Sequence, residues 1–258
     1  MNDAKLVWHQ FRYDQRTFRR DPAAVGFTVV FPVIFLIIFV TIFGNDDIVV
    51  EGAPVSGSTY YLPGIVALGV ASATYLNLAI SLTQLRERGV LKRVRSTPVP
   101  MWAFIAGRIG TSISVSLALT VVLMVLGRLL YDVNVPGATL PALVLALVVG
   151  SAAFSTLGFA LASLIPTEAS AAPIANAVIL PLYFISGIFV PAEQIPQGML
   201  DVADVLPAKP LFDALRVAFD PATSGAGIAG GDLAVLAAWG VAGLVVALTR
   251  FRWTPRAA

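Results

Sequence analysis

The chain has 258 residues, 57% of them apolar and 12% charged, with a net charge of +2 and no cysteine. Soluble domains run at about 45–50% apolar and about 25% charged, so this is not an ordinary soluble globule; the apolar richness and small net charge exclude a disordered chain, and the lack of cysteine excludes a disulfide scaffold. What remains is one all-α membrane domain, residues 1–258, because in lipid the backbone must satisfy its own polar groups.

Residues 1–21 come first. At about 100° per residue, Val7, Trp8, Phe11 and Phe18 fall in one arc, with Lys5, Arg12, Arg16 and Arg20 outside it. That pattern reads as an interfacial helix facing anionic headgroups; a basic juxtamembrane tail that only sets topology fits the same composition. His9 sits on the basic side and reads as solvated.

Uncharged stretches follow at 22–45, 52–85, 109–127, 133–167, 169–192 and 233–249. Each reaches or approaches the roughly 20 residues that cross a bilayer as a helix. They give six spans, at about 23–43, 59–84, 99–127, 138–164, 171–190 and 231–249. The first run is too long for a signal-peptide core and reads as a retained span. Of the 17 Lys and Arg, 14 lie before span one, between spans two and three, at the start of span three or after span six. The positive-inside rule makes that side cytoplasmic, with both termini inside; the bias of Arg over Lys points to a bacterial source, and so to a bacterial inner membrane.

Residues 85–97 form the most informative cytoplasmic stretch. Val90, Leu91 and Val94 make a short apolar stripe on a helix otherwise occupied by Arg86, Arg88, Lys92, Arg93 and Arg95. Thr97 and Pro98 then fit the cap and first turn of span three, forming an elbow. An ordinary positive-inside loop would have the same composition. On the other side, residues 191–220 carry Met199, Val202 and Val205, then Leu211, Leu215 and Phe219, at helical spacing on either side of Pro207 and Pro210. They read as two amphipathic outer helices that re-enter the membrane, or as a folded outer loop without a transport role.

The chemistry that is missing narrows the function. A phosphate-binding loop needs a lysine after a glycine, and Lys5, Lys92 and Lys209 follow Ala4, Leu91 and Ala208. The chain therefore reads as a non-enzyme with no cofactor of its own. One histidine and no cysteine leave no nucleophile–base pair and no metal set. Within the uncharged stretches the polar candidates for a substrate path are Tyr75, Asn77, Asn176, Tyr183 and Ser186. For Asn77 and Asn176 an interhelical hydrogen bond is the plainer role.

The stretch Glu87 to Pro100, ERGVLKRVRSTPVP, resembles the E-x-G-T-L-x-R-L-x-x-T-P-L-P signature of ABC-2 type exporter permeases, matching at Glu87, Gly89, Leu91, Arg93, Thr97, Pro98 and Pro100. Val90, Val94 and Val99 depart from it. YLPGI (61–65), FISGIFVP (184–191) and LPAKPLFDALR (206–216) resemble the same family's span two, span five and outer re-entrant helices. The likeness is closest to the daunorubicin-resistance-like drug exporters.

The resemblance implies a type V exporter fold and a separate ATP-binding cassette ATPase, present in two copies, that binds ATP and Mg. It implies a second permease subunit, as homodimer or heterodimer, and a lipophilic or amphipathic small molecule moved outward. Membrane lipid is a partner, and nucleic acid is not. Arg86 to Arg95 would be the coupling helix, with Val90, Leu91 and Val94 packing in a groove of the ATPase, Glu87 and Arg93 fixing register, and Glu168 making a second contact. Pro98 would transmit ATPase closure to spans one, two and five. A polysaccharide or glycolipid exporter shares this architecture; a non-transporting membrane anchor for an ATPase and a stand-alone carrier are the other readings.

Overall fold

The computed structural model describes residues 3–43, 47–50, 53–97, 99–223, 225–251 and 253. The described chain is helical apart from one short hairpin. Helix α1 (Asp3–Arg19) leads into α2 (Pro22–Phe43), whose Pro22 takes the first helical position, where its missing N–H costs nothing. Strands β1 (Asp47–Val50) and β2 (Ala53–Ser56) pair antiparallel, with Asp47 opposite Ser56 and Val50 opposite Ala53. The sequence reading had no strand here. Two four-residue strands carry too little periodicity to register between long apolar runs.

Next comes a continuous helical rod, α3 (Gly57–Ala71), a π turn (Ser72–Leu76) and α4 (Asn77–Glu87), followed by the short α5 (Val90–Arg95). Gly89 separates α4 from α5 at φ +69, a left-handed conformation that ends a helix without the Cβ penalty. Helices α6 (Met101–Tyr131), α7 (Leu140–Leu164) and α8 (Glu168–Ile185) follow, then α9 (Gln197–Val205), α10 (Ala208–Phe219) and α11 (Gly230–Arg250). A reciprocal Thr167–Ser170 capping box starts α8.

Among the described residues, five helical stretches are long and apolar enough to cross a membrane: Gly57–Glu87, Met101–Tyr131, Leu140–Leu164, Glu168–Ile185 and Gly230–Arg250. Within α2, Thr28–Ile42 is a shorter apolar stretch. The chain is thus a multi-pass helical membrane protein. Two of the five stretches are 31 residues long, about 46 Å at 1.5 Å per residue, so each extends well beyond a hydrocarbon layer of about 30 Å.

Small residues let the rods approach closely. A Cβ on Gly158 of α7 would stand 2.9 Å from the Tyr75 carbonyl oxygen, and one on Gly243 of α11 would stand 2.9 Å from the Leu157 backbone nitrogen. Backbone therefore meets backbone along α7. The larger core joins α2, α3, α6, α7, α8 and α10. A second apolar cluster lies around Leu78, Leu82, Leu91, Phe104 and Phe159.

Candidate coupling surface and substrate path

The basic stretch after span two separates into residues held inside the protein and residues left on its surface. Arg86 is only 2% exposed. Its guanidinium donates to the carbonyl oxygens of Ala162 (2.9 Å), Ile165 (2.8 Å) and Pro166 (3.2 Å), and its Nε lies 3.3 Å from the Glu87 carboxylate. These carbonyls belong to the end of α7 and the turn beyond it. The last carbonyls of a helix have no intrahelical partner and carry the negative end of its dipole, so a buried cation there satisfies both needs. Arg86, which the sequence reading had put on the ATPase-coupling helix, is therefore enclosed here as a cap for α7.

Leu91 is corrected in the same way. It is 0% exposed, packed in the cluster of Leu78, Leu82, Phe104 and Phe159, with Val94 against the same cluster. Complete burial of a leucine contributes about 1.5–3 kcal/mol, so the apolar stripe fastens α5 to its own bundle. Val90, Lys92, Arg93 and Arg95 stay exposed. Thr97 donates its hydroxyl to the Val94 carbonyl (2.6 Å) and so closes α5 instead of capping span three; Pro100 is the residue that caps α6. Pro98 lies outside the described residues.

Arg88 donates to the Glu168 carboxylate at 3.0 Å. The pair is exposed and worth about 0–1 kcal/mol. Its value is positional: it sets the α4–α5 turn beside the first turn of α8. Glu168 also lies where the N-terminal end of the α8 dipole favours a carboxylate.

The five candidate path residues do not form one path. Tyr75, on the π turn, and Tyr183, on α8, are buried with neighbouring phenols close to the Ser72 hydroxyl, and neither phenol has a well-formed hydrogen bond. The hydroxyls of Ser151 and Ser155 on α7 are likewise buried without partners. Asn176 turns its amide back onto Ala172 of its own helix (2.9 Å), and Ser186 donates to Tyr183 O (3.0 Å) at the end of α8. Asn77 faces a different crevice, between α1 and α6.

Sequence reasoning missed the aromatic cluster at Phe189. Its ring lies 6.1 Å from Phe35, 5.8 Å from Phe39, 6.1 Å from Tyr183 and 5.3 Å from Phe184, and Phe39 lies 5.3 Å from Tyr61. Stretches one, two and five of the sequence reading meet there. A phenylalanine every four residues, at 31, 35 and 39, was the available signal.

Leu211, Leu215 and Phe219 of α10 are all buried in the larger core, whereas Met199, Val202 and Val205 of α9 are exposed. Lys209 ties α10 together with α9, 2.6 Å from Asp204 and 2.7 Å from Asp213. Partial burial works against its charge, yet the two carboxylates outweigh that and hold its pKa above the ordinary lysine value. A cavity of about 200 Å³ opens beside this cluster, reaching Tyr60, Ser186 and Phe212.

A bundle of apolar rods, with a short amphipathic helix clamped to it by Arg86 and Leu91 and another buried in its larger core, makes this a multi-pass helical membrane protein. The chain belongs to the ABC-2 type transporter family, whose profile matches residues 5–219, from α1 through α10. The family's members are transport permeases that operate with an ABC ATPase. Comparison with curated protein sequences gave no significant match.

Proposed function

We propose that the chain is the permease subunit of an ATP-driven exporter of the drug-exporter branch, moving a lipophilic or amphipathic small molecule outward across a bacterial inner membrane. It acts with a second permease subunit and two copies of a separate ATPase that binds ATP and Mg. Six spans, with α2 as the first, leave both termini in the cytoplasm. The type V arrangement places α1 at the inner interface and α9 and α10 at the outer face.

The observation that carries the reading is the clamped coupling unit. Leu91 and Arg86 fix α5 and the end of α4 to the bundle, while Val90, Arg93 and Arg95 face outward next to the Arg88–Glu168 pair. A displacement of this surface by the ATPase is thus delivered to α7 and to the helical rod 57–87. Glu87 leans on Arg86 and helps hold it, and Gly89 supplies the reversal between the two helices. At the other end, separation of spans one, two and five would open the Phe189 cluster, where Tyr61 and Tyr183 are buried phenols.

The test is ATPase and transport activity of the reconstituted complex with Val90→Asp and Arg93→Glu together. ATP hydrolysis without export is expected, with normal membrane insertion. Unchanged export would remove α5 from the coupling surface. The paired tyrosines give a polysaccharide or glycolipid cargo as the second reading, because their unpartnered phenol hydroxyls could hydrogen-bond sugar hydroxyls; a Tyr75→Phe, Tyr183→Phe variant would leave drug export intact and reduce glycan export.

A further inference from the structure

An open groove of about 570 Å³ runs between α1 and the first half of α6. Trp8, Phe11, Trp102, Ala106 and Gly110 line it, and the rings of Trp8 and Phe11 stack with centroids 5.3 Å apart. Both indoles are largely uncovered, Trp8 being 59% and Trp102 47% exposed. The two helices that border the groove are pressed together beside it: the Asp14 carboxylate lies 3.3 Å from Arg108 Nε, and a Cβ on Gly107 would stand 2.6 Å from the Gln10 side chain.

The charges of α6 give the depth of the groove. Arg108 and Arg128 bracket the uncharged stretch 109–127, about 28 Å of helix, which matches the roughly 30 Å of a hydrocarbon layer. The groove therefore straddles one edge of that layer, with Trp102 and Ala106 on the headgroup side of Arg108 and Gly110 on the acyl side. Tryptophan suits this depth, because its ring is apolar and its N–H polar. Charge around the groove has one sign. Lys5 and Arg12 stand three and four positions from Trp8 and so flank it on the helix surface, and Arg16 follows Arg12 one turn on. All three are exposed, and among the described residues none of them is in an ion pair. Arg12 and Arg16 also border a shallow cleft of about 170 Å³ with His9 and Tyr13. The one acidic residue between Lys5 and Arg20 is Asp14, which is turned away toward Arg108. An apolar channel at headgroup depth, rimmed by uncompensated bases, fits a ligand with an alkyl chain and an anionic head.

We propose that the groove holds an anionic phospholipid, with its phosphate on Arg12 and Arg16 and one acyl chain along Phe11, Ala106 and Gly110. The proposal goes beyond the exporter reading by naming a bound lipid, and rests on it only for assigning this end of α6 to the inner leaflet. A zwitterionic lipid is disfavoured, because its ammonium would face the same uncovered bases. A second copy of the chain is disfavoured as well, because it would bring its own basic α1 against this one.

The test is tryptophan fluorescence of the purified full chain in dodecylmaltoside, titrated with phosphatidylglycerol or phosphatidylcholine whose acyl chains are brominated, since bromine quenches an indole on contact. A Trp239→Phe, Trp253→Phe background leaves Trp8 and Trp102 as the emitters. Saturable quenching is expected with phosphatidylglycerol, at a mole fraction in the micelle about twentyfold lower than with phosphatidylcholine. Arg12→Gln and Arg16→Gln should each raise that fraction about fivefold, the attraction of one base for an anionic lipid surface, and together bring it to the phosphatidylcholine value. Both side chains are exposed, so folding is kept. Ala106→Leu, a substitution between good helix formers, fills the groove and should weaken the quenching without touching a charge. Equal quenching by the two lipids, or phosphatidylglycerol quenching unchanged across these variants, would overturn the proposal. A dimer with both indoles shielded from either lipid would overturn it too, by putting a second copy in the groove. The measurement needs no ATPase and no cargo: selective quenching in a chain that couples to no ATPase keeps the lipid site and loses the exporter reading, whereas coupling without selective quenching loses the lipid site alone.

Discussion

Arg86 and Arg93 lie in one basic stretch and have opposite surroundings. Arg86 is enclosed and donates to three carbonyls at the end of α7, while Arg93 is exposed on α5. Arg86→Ala should therefore lower stability by about 2–4 kcal/mol, as buried carbonyls lose their donors. Arg93→Ala should change it by less than about 0.5 kcal/mol. Thermal unfolding of the two variants in detergent distinguishes them, and equal midpoints would show that Arg86 does not cap α7. Lys209 gives a pH signature. Its folded pKa lies above the ordinary lysine value, so its contribution is complete below the unfolded pKa of about 10.5 and is lost as pH rises through the folded value. The stability gap between wild type and Lys209→Met should be constant from pH 7 to 9 and shrink above about 10.5. A gap that closes nearer neutrality would exclude the Asp204–Lys209–Asp213 cluster as its source.

At the scale of elements, close approach and face assignment make the predictions. Gly158→Val forces side-chain atoms against the Tyr75 carbonyl, where α7 crosses the π turn, and should cost about 1–3 kcal/mol; a neutral midpoint would mean that the two helices part without cost. Helices α9 and α10 separate by burial: Leu215→Ala should destabilise by about 2–5 kcal/mol and impair export, while Val202→Ala should leave stability unchanged. Much of this was legible in the sequence. The uncharged stretches marked the helical rods, and the periodicity of Leu211, Leu215 and Phe219 gave their common face. Periodicity does not say which surface receives a face. The stripe at Val90, Leu91 and Val94 was plain, yet its acceptor is assembled from Leu82, Phe104 and Phe159 on three other helices. The destination of Arg86 was hidden for the same reason, because the carbonyls it caps lie 76 and 79 positions away. Asp14, which borders the apolar arc of α1, makes sense only once Arg108 stands opposite it.

For the whole molecule, the lack of cysteine makes sidedness directly measurable, since a single introduced thiol has no background. Ser96→Cys, at the end of α5, should react with a membrane-impermeant maleimide only after the membrane is opened, and Ala226→Cys, between α10 and α11, in intact cells. The reverse pattern would invert the topology. The proposed topology would put the exposed side of α5 and the first turn of α8 on the ATPase side and the Lys209 cluster on the other. The central claim is that the chain has no nucleotide site of its own and works through an ATPase seated on α5. Its most direct measurement is co-purification of the tagged chain, in mild detergent, with candidate ATP-binding cassette subunits from its own host, scored for stoichiometry and ATPase activity. Equal numbers of both subunits, with hydrolysis that depends on the membrane subunit and continues without export in the Val90→Asp, Arg93→Glu variant, is the predicted result. No associating ATPase in any detergent or nucleotide state, with transport retained by the chain alone in liposomes, would contradict it.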